Sequence, residues 1–195
     1  MPADHSPFQL NDPITGDALR YIAGPGRGDI GVWQADPDGI RWPAILGIPY
    51  LRASRADLAV EVSRLIAAGE PVEALAMLLQ DTDDFAPARP SLHAGRSVAE
   101  RLLNGAPALS GREMMETLAY GPVADYFALR GSTPTFFSGI GLLKAGHHAG
   151  RPVVEVACGA GHFLYWMRSR GMGAIGIDTV FSKLCLARQF LGLPG

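Results

Sequence analysis

Cysteine is scarce in this chain of 195 residues, which contains Cys158 and Cys185 and no others. Both cysteines fall in segments with the apolar pattern of ordinary α/β structure. Domains that depend on a disulfide framework have many more cysteines for their length. The scarcity therefore argues against a disulfide-stabilised extracellular domain.

Long apolar runs and targeting signals are also missing. No apolar run reaches the roughly 18 residues that a membrane-spanning helix needs. The first ten residues, MPADHSPFQL, lack the basic region and apolar core of a secretory signal. We therefore expect a cytoplasmic protein without a membrane partner.

Charge is low as well: 18% of the residues are charged, and the formal net charge is −2. A nearly neutral chain has no general electrostatic attraction to nucleic acid, so we expect no general nucleic-acid binding, although a local basic patch stays open. Hydrophobic residues make up 48% of the chain. That share is enough for the core of one ordinary domain, or of a small domain and part of a second.

The N-terminal segment, residues 8–52, is rich in Gly, Pro and Asp and lacks a helical period. Short β-like stretches over 19–23 and 30–35 flank the loop GPGRGD. Two such stretches around a glycine-rich loop predict a β-hairpin. We therefore expect a small β domain here.

Periodic apolar residues predict helices in the middle of the chain. A helix pair is expected over 54–80, with Ser54 as the N-cap of the first helix and Pro71 in the first turn of the second. The acidic and proline-rich stretch 81–96 is expected to be a linker. Further helices are expected within a helical region over 97–148, at 97–104, 112–130 and 134–146.

The pattern changes at Arg151. PVVEVA (152–157) and GAIGID (173–178) are apolar runs typical of strands buried on both faces. The segment GHFLYWMRSRG between them has a helical pattern. Strand, helix and strand within this length predict a βαβ unit, which has parallel strands and a right-handed crossover. The expected fold class is therefore α/β.

The loop ACGAG lies between the first of these strands and the helix. In open α/β sheets, ligands bind beyond the carboxyl ends of the strands. Gly159 and Gly161 have no Cβ, so a ligand can approach the backbone closely, and the N–H groups that follow favour an anionic group. Asp178, at the end of the second strand, can accept hydrogen bonds from both hydroxyls of a ribose. Together these features predict a nucleoside-containing ligand.

Two common nucleotide-binding patterns fit this loop poorly. The dinucleotide fingerprint GxGxxG/A needs a small third residue, but that position holds Leu164 or His162, depending on whether the pattern starts at Gly159 or Ala157. No GxxxxGK[ST] pattern occurs, which excludes a P-loop. An alternative interpretation is that the loop is a strand-to-helix turn without a ligand and that Asp178 merely caps a helix.

The stretch VVEVACGAGHF resembles the first motif of class I S-adenosylmethionine-dependent methyltransferases, an acid and one apolar residue followed by Gly-x-Gly-x-Gly. Glu155 stands at the place of the acid, and Gly159 and Gly161 match the second and third glycines. Ala157 stands where the family usually has its first glycine. Asp178 matches the ribose-binding acid of the family.

This resemblance covers residues 151–195 and implies the start of a Rossmann-like doubly wound parallel sheet, of which this chain holds the first βαβ unit. It implies S-adenosylmethionine as the cofactor. The loop backbone over 157–161 would hold the methionine carboxylate, Glu155 the ammonium group, directly or through water, and Asp178 the ribose. Cys158 is interpreted as a small side chain in a tight loop rather than as a nucleophile.

The resemblance leaves the catalytic residues and the methyl acceptor unknown. In this family the residues that face the acceptor usually follow the fourth strand of the sheet, and two strands are predicted here. Two apolar strands by themselves leave open edges. We therefore expect residues 151–195 to be the N-terminal part of a truncated methyltransferase domain, and the chain to be an inactive fragment.

Two stretches near the N-terminus resemble a zinc ribbon without its ligands. DPITGDAL is similar to the CPxCxGxL start of such a ribbon, and DGIRWPAILGIPYL to its end. The four ligand positions hold Asp12, Thr15, Ala35 and Asp38, which cannot form a tetrahedron of thiolates and imidazoles. We therefore expect residues 8–52 to be a degenerate zinc-ribbon-like domain that binds no zinc. A glycine- and proline-rich hairpin domain unrelated to zinc ribbons is the alternative.

Three functions are compatible with these patterns. The first is an S-adenosylmethionine-dependent methyltransferase. The second is a cofactor-binding or regulatory module that performs no chemistry. The third, an NAD(P)-dependent oxidoreductase, is the weakest because of the Leu164 position.

Overall fold

The N-terminal strands form an antiparallel sheet in the computed structural model. The structure describes residues 9–82, 89–105, 109–119, 125, 129–146 and 151–191, except for the side chains of residues 190 and 191. The strands lie in chain order in the sheet and are β1 (Arg20–Ala23), β2 (Gly31–Gln34), β3 (Trp42–Ile45) and β4 (Ile48–Pro49). The predicted hairpin is confirmed as β1 and β2. A second hairpin, β3 and β4, extends it.

Turns and cross-strand pairs set the register of this sheet. Tyr21 lies opposite Trp33, with ring centroids 5.4 Å apart, a spacing at which aromatic pairs stabilise a sheet. Leu46 and Gly47 both have positive φ angles, 58° and 67°, as the two-residue turn of a tight hairpin requires. Trp42 and Ile45 of β3 are fully buried, so the second hairpin forms part of the core.

A buried carboxylate closes the first turn of this domain. Asp12 accepts hydrogen bonds from the backbone N–H groups of Ile14 (2.8 Å) and Thr15 (3.1 Å) through Oδ1, and from Trp42 Nε1 (2.8 Å) through Oδ2. Burial disfavours the charged form, but these three hydrogen bonds outweigh it, and the pKa of Asp12 lies below its ordinary value. The side chain thus links the turn to β3 at a position that the resemblance gives to a zinc ligand.

Replacing Asp12 with alanine should lower the free energy of unfolding by about 1–3 kcal/mol, because the indole N–H of the fully buried Trp42 would lose its acceptor. Since the folded-state pKa is lowered, this contribution is present above the ordinary carboxyl pKa and is lost as the pH falls through the lowered value. Urea titrations at pH 7 and pH 3 measure both effects. Asp17→Ala, at an exposed neighbouring acid, is the matched control and should change stability by less than about 0.5 kcal/mol.

The same preparation tests for zinc. We expect no zinc in the dialysed protein by elemental analysis, since Asp12 is occupied by N–H donors. One zinc ion per chain would contradict this expectation.

The helix pair lies where the pattern predicts it. It comprises α1 (Ala56–Ala67) and α2 (Pro71–Gln80), separated by Gly69, whose φ angle of 76° ends the first helix. Pro71 occupies the first turn of α2, as predicted. The predicted N-cap is wrong: Ser54 lies inside a short 3-10 turn, Ala53–Arg55, and α1 begins after it.

The predicted linker 81–96 is too long, because α3 (Leu92–Asn104) begins within it. Ser91 caps this helix by accepting a hydrogen bond from the Ala94 N–H at 3.1 Å. Gly95 has a packing role rather than a linker role. A Cβ there would lie 2.9 Å from the carbonyl oxygen of Ala76, so the glycine lets α3 approach α2 closely. Residues 83–88 lie outside the described residues.

The predicted helix over 112–130 is interrupted. α4 (Gly111–Thr117) begins at a capping box formed by Ser110 and Glu113, and it ends before Ala119, whose φ angle is 58°. Residues 120–124 and 126–128 lie outside the described residues. The last predicted helix of this region is confirmed as α5 (Pro134–Gly146), which follows a 3-10 turn over Arg130–Ser132.

The C-terminal elements form the predicted βαβ unit. They are β5 (Val153–Val156), α6 (His162–Arg168), β6 (Ala174–Ile177) and α7 (Phe181–Leu191). β5 and β6 pair in parallel, with Val154 opposite Ile175 and Val156 opposite Ile177. The fold is therefore mixed α/β, with a four-stranded antiparallel sheet and a separate two-stranded parallel sheet among the described residues.

The prediction that β5 and β6 are buried on both faces is wrong for the described residues. Val154, Val156 and Ile177 are exposed on one face of the pair, at 46%, 76% and 53%. The opposite face is partly covered by Leu164 and Met167 of α6. The apolar runs that predicted burial therefore include one face that the described elements leave open.

α7 shares its hydrophobic core with the helices of the middle region. Phe181, Cys185 and Leu186 are buried in the same cluster as Leu75 and Leu79 of α2. The glycine-loop residue Ala160 belongs to this cluster too. The boundary predicted near Arg151 therefore does not divide the core, and the loop is held against the helical region.

A second buried carboxylate joins the sheet to these helices. Asp81, just after α2, accepts hydrogen bonds from the Tyr50 hydroxyl (2.6 Å), Arg52 Nη1 (2.8 Å) and Arg55 Nε (3.1 Å). The Tyr50 ring contacts Phe181 of α7, with centroids 6.2 Å apart. Burial and the bond to Asp81 raise the pKa of Tyr50, so the hydroxyl stays protonated as the donor.

In the described part of the chain, no helix has the length and apolar character needed to cross a membrane.

Candidate functional site

The loop between β5 and α6 has a backbone that few side chains tolerate. Ala157, Gly159 and Gly161 have φ angles of 58°, 55° and 77°, all in the left-handed region. The Gly161 N–H donates to the carbonyl oxygen of Cys158 at 3.0 Å, which closes the turn. A Cβ at Gly161 would lie 2.7 Å from Ala187 Cβ of α7. Both the torsions and the close packing therefore require glycine at this position.

Asp178 joins this loop to the end of β6. Its Oδ2 accepts a hydrogen bond from the Gly159 N–H at 2.9 Å, and its Oδ1 accepts one from the Val180 N–H at 2.9 Å. The first bond brings the two sequence-predicted parts of the site into contact. A carboxylate has about four acceptor positions, so two backbone donors leave capacity for further hydroxyl donors. The second bond is an Asx turn that leads into α7, which agrees with the capping interpretation.

Glu155, in β5 just before the loop, has a strongly raised pKa. Burial raises its pKa to about 7; the charge of Arg130 and a hydrogen bond from the Leu164 N–H oppose this, and the charge of Asp178 adds to it. Its Oε2 is buried and has no hydrogen-bond partner among the described residues. A buried carboxylate oxygen without a donor is costly, so this side chain has an unmet need for a cation or a proton.

Replacing Glu155 with glutamine should stabilise the protein at pH 8 and leave it nearly unchanged at pH 5. The folded-state pKa is raised, so the stability that Glu155 contributes is complete below its ordinary pKa of 4.5 and is lost as the pH rises through about 7. Glutamine resembles the protonated acid and avoids that loss. Because the group is partly exposed, solvent screening reduces the expected gain to about 1–2 kcal/mol.

Thermal unfolding of both proteins across pH 5–8 measures this difference. The exposed acid Glu116, replaced by glutamine, is the control and should show no growing difference from the parent protein. Parallel pH profiles for Glu155→Gln and the parent would mean that water already solvates the carboxylate.

Cys158 lies inside the loop with its side chain buried. Its thiol is buried, and burial, together with the charges of Glu155 and Asp178, raises its pKa to about 12. A Cβ at Gly176 of β6 would lie 2.7 Å from the Cys158 sulfur and would also meet Leu164. Cys158 therefore fills the space between loop and strand, as the interpretation of a small side chain in a tight loop expects.

The structure places a turn and a helix beside the start of α6, a contact that no sequence pattern indicates. The 3-10 turn that contains Arg130 lies beside α6, since a Cβ at Gly131 would be 3.6 Å from His162 Cδ2. Phe136 of α5 stacks on Phe163 of α6 with centroids 4.7 Å apart. This packing places the charge of Arg130 within electrostatic range of Glu155. No spacing rule connects Arg130 to the loop, because the connection depends on how α5 packs.

The four positions that the resemblance assigns to zinc do not form a metal site in the described residues. Asp12 and Thr15 meet in one turn, where the Thr15 N–H donates to Asp12 Oδ1, and Asp38 lies in another turn, where its N–H donates to Asp36 Oδ1. Ala35 supplies no ligand atom. Across the residues that the structure describes, no cluster of three or more His, Cys, Asp or Glu side chains could hold a metal ion.

Comparison with protein-family models, with curated proteins and with solved structures found no match to this chain. The functional interpretation therefore depends on the residues and geometry described above.

Proposed function

We propose that this chain binds S-adenosylmethionine and is part of an S-adenosylmethionine-dependent methyltransferase, whose methyl acceptor is unknown. The observation that carries the proposal is the hydrogen bond from the Gly159 N–H to Asp178, which joins the glycine loop to the acid at the end of the next strand. In a parallel βαβ unit this is the edge at which ligands bind. A glycine loop and a carboxylate in contact there suit the ribose and the amino-acid part of one ligand.

Glu155 supports the same ligand. Its buried Oε2 lacks a partner among the described residues, and a ligand ammonium group beside it would supply both a donor and a charge. A cation favours the ionised carboxylate, so binding should lower the pKa of Glu155 from its value of about 7. Methyl transfer itself would then depend chiefly on positioning the acceptor in line with the methyl carbon and on excluding water.

Leu164 weighs against a dinucleotide. Its side chain is buried between α6 and β6, where a Cβ on Gly176 would meet it. The dinucleotide fingerprint needs a small residue at this position, so that helix and strand can approach each other. The packing seen here is therefore less suited to NAD(P) than to S-adenosylmethionine.

Calorimetric titration with S-adenosylmethionine, S-adenosylhomocysteine and NAD⁺ tests the proposal. We expect the first two ligands to bind with one site per chain and NAD⁺ to bind far more weakly. Tighter binding of NAD⁺, or no binding of either methionine-derived ligand, would contradict the proposal. A methyl acceptor is needed to distinguish an enzyme from a cofactor-binding module without catalytic activity.

A further inference from the structure

Charge is divided unevenly along the chain. Residues 126–195 contain seven basic and two acidic side chains, a net charge of +5, whereas residues 1–125 contain ten basic and seventeen acidic side chains, a net charge of −7. The two acids of the second part are Glu155 and Asp178, which belong to the candidate cofactor site. The small net charge of the whole chain therefore conceals a strongly basic region.

Exposed cations in the two parts differ in their ion pairs. In the acidic part, four exposed arginines have carboxylate partners within 3.1 Å, namely Arg27, Arg64, Arg96 and Arg112, whereas the exposed Arg20, Arg41 and Arg89 have no ion pair among the described residues. In the basic part, four exposed cations have no ion pair among the described residues, and these are Lys144, Arg151, Arg168 and Arg170. Their charge is therefore available to a partner outside the described chain.

Packing brings two of these cations, Lys144 and Arg170, to the Trp166 ring. The guanidinium carbon of Arg170 lies 4.2 Å from the centroid of the Trp166 ring, and Lys144 Nζ at the end of α5 lies 5.9 Å from it, both within cation–π range. Arg151 lies at the same end of the βαβ unit as Arg170, because the Val153 N–H, two residues after Arg151, bonds to the carbonyl oxygen of Gly173, three residues after Arg170, at 2.9 Å. This end of the sheet is opposite the glycine loop.

An exposed aromatic side chain lies on the same helix. Tyr165 of α6 is 58% exposed, and Arg168 follows it by three residues, so the two side chains share one side of the helix. Trp166 lies on the neighbouring side of the helix, about 100° around its axis from Tyr165, and Arg170 lies with it. We refer to the six side chains Lys144, Arg151, Tyr165, Trp166, Arg168 and Arg170 as the basic-aromatic patch. Cations next to an exposed aromatic ring provide phosphate contacts and a surface on which a base can stack.

We propose that the basic-aromatic patch binds single-stranded nucleic acid. The net charge of −2 is that of the whole chain, whereas the patch has four cations and no acid. Phosphates would contact Arg168, Arg170, Lys144 and Arg151, and a base would stack on Tyr165. This surface is separate from the glycine loop, and the proposal does not depend on cofactor binding.

Fluorescence anisotropy with a labelled 20-nucleotide oligouridylate, across a series of NaCl concentrations, tests the patch. The double variant Arg168→Gln/Arg170→Gln should reduce the slope of log K against log salt by about 1.4, since each lost phosphate contact on a single strand accounts for about 0.7. Tyr165→Ala should weaken binding roughly five- to a hundredfold through lost stacking. Arg64→Gln/Arg96→Gln, which removes the same charge from the acidic part, is the matched control and should leave binding unchanged.

Three results would overturn the proposal. The first is no binding of the oligonucleotide at 50 mM NaCl, and the second is binding that the Arg168→Gln/Arg170→Gln variant leaves unchanged. The third is binding of heparin or anionic vesicles that is as tight as that of the oligonucleotide and insensitive to Tyr165→Ala. The last result would assign the patch to another polyanion. Circular dichroism confirms that each variant is folded. Calorimetry with S-adenosylmethionine should give the same affinity for the patch variants as for the parent, so failure here is separable from failure of the proposed function.

Discussion

Replacing Asp81 with alanine should lower the free energy of unfolding by about 3–5 kcal/mol. The carboxylate is buried, with 3% of its side chain exposed, and it accepts hydrogen bonds from Tyr50, Arg52 and Arg55. Removing it would leave two guanidinium groups and a buried hydroxyl without this acceptor. The cost of an uncompensated buried charge exceeds the modest net gain of the intact pair, which is why deletion has so large an effect.

Urea titration followed by tryptophan fluorescence measures the loss. Tyr50→Phe removes one neutral donor and should cost about 1 kcal/mol. Asp29→Ala is the matched control, since Asp29 receives two hydrogen bonds from Arg27 in an exposed pair, and its loss should cost less than about 1 kcal/mol. If Asp81→Ala cost no more than Asp29→Ala, the buried cluster would not stabilise the junction between sheet and helices.

Replacing Asp178 with alanine should weaken S-adenosylmethionine binding by roughly 2–4 kcal/mol, about thirty- to a thousandfold in the dissociation constant. Two losses contribute. The ribose hydroxyls would lose a charged acceptor, and the Gly159 N–H would lose the bond that holds the loop against the end of β6. Calorimetry on the variant measures the sum of the two.

Two further variants separate these losses. Asp178→Asn keeps an oxygen that can accept one backbone N–H but removes the charge, so it should keep the loop more ordered while it still weakens binding. Asp36→Ala is the matched control, because Asp36 accepts the Asp38 N–H at 2.9 Å in the same Asx geometry as Asp178 and Val180. Unchanged affinity in Asp178→Ala, with a lowered melting temperature, would mean that the acid only braces the loop and caps α7.

Elements whose signals lie within their own residues could be predicted closely. The helix over 134–146 and the hairpin strands near 20–23 and 31–34 follow from period and turn residues, which act over a few positions. The predicted start of α3 is wrong because the acidic and proline-rich composition of 81–96 predicts a linker, which includes Gly95. Its place in the helix depends on the close approach of Ala76, which no local pattern contains.

In the candidate site, too, some residues could be predicted from local sequence and others could not. The glycine positions and Asp178 could be chosen from spacing, because a strand-to-helix turn imposes its torsions locally and the next strand of a βαβ unit ends beside it. Arg130 could not, since it lies 25 positions before Glu155 and reaches it through the packing of Phe136 on Phe163. The raised pKa of Glu155 also depends on burial, which no local pattern along the chain contains.

The sequence by itself determined the types of secondary structure, the glycine torsions of the loop and the lack of thiolates at the four zinc positions, because these depend on residue identity and on neighbours along the chain. Only the tertiary structure decided that Asp12 accepts a hydrogen bond from Trp42, that Asp81 accepts hydrogen bonds from Tyr50 and two arginines, and that one face of β5 and β6 is exposed. The physical reason is that burial, and the hydrogen bonds that burial makes necessary, depend on contacts between residues far apart in the chain. The residue type determines which kind of hydrogen-bond partner a buried group needs, and the packing of the helices and strands determines which partner it contacts.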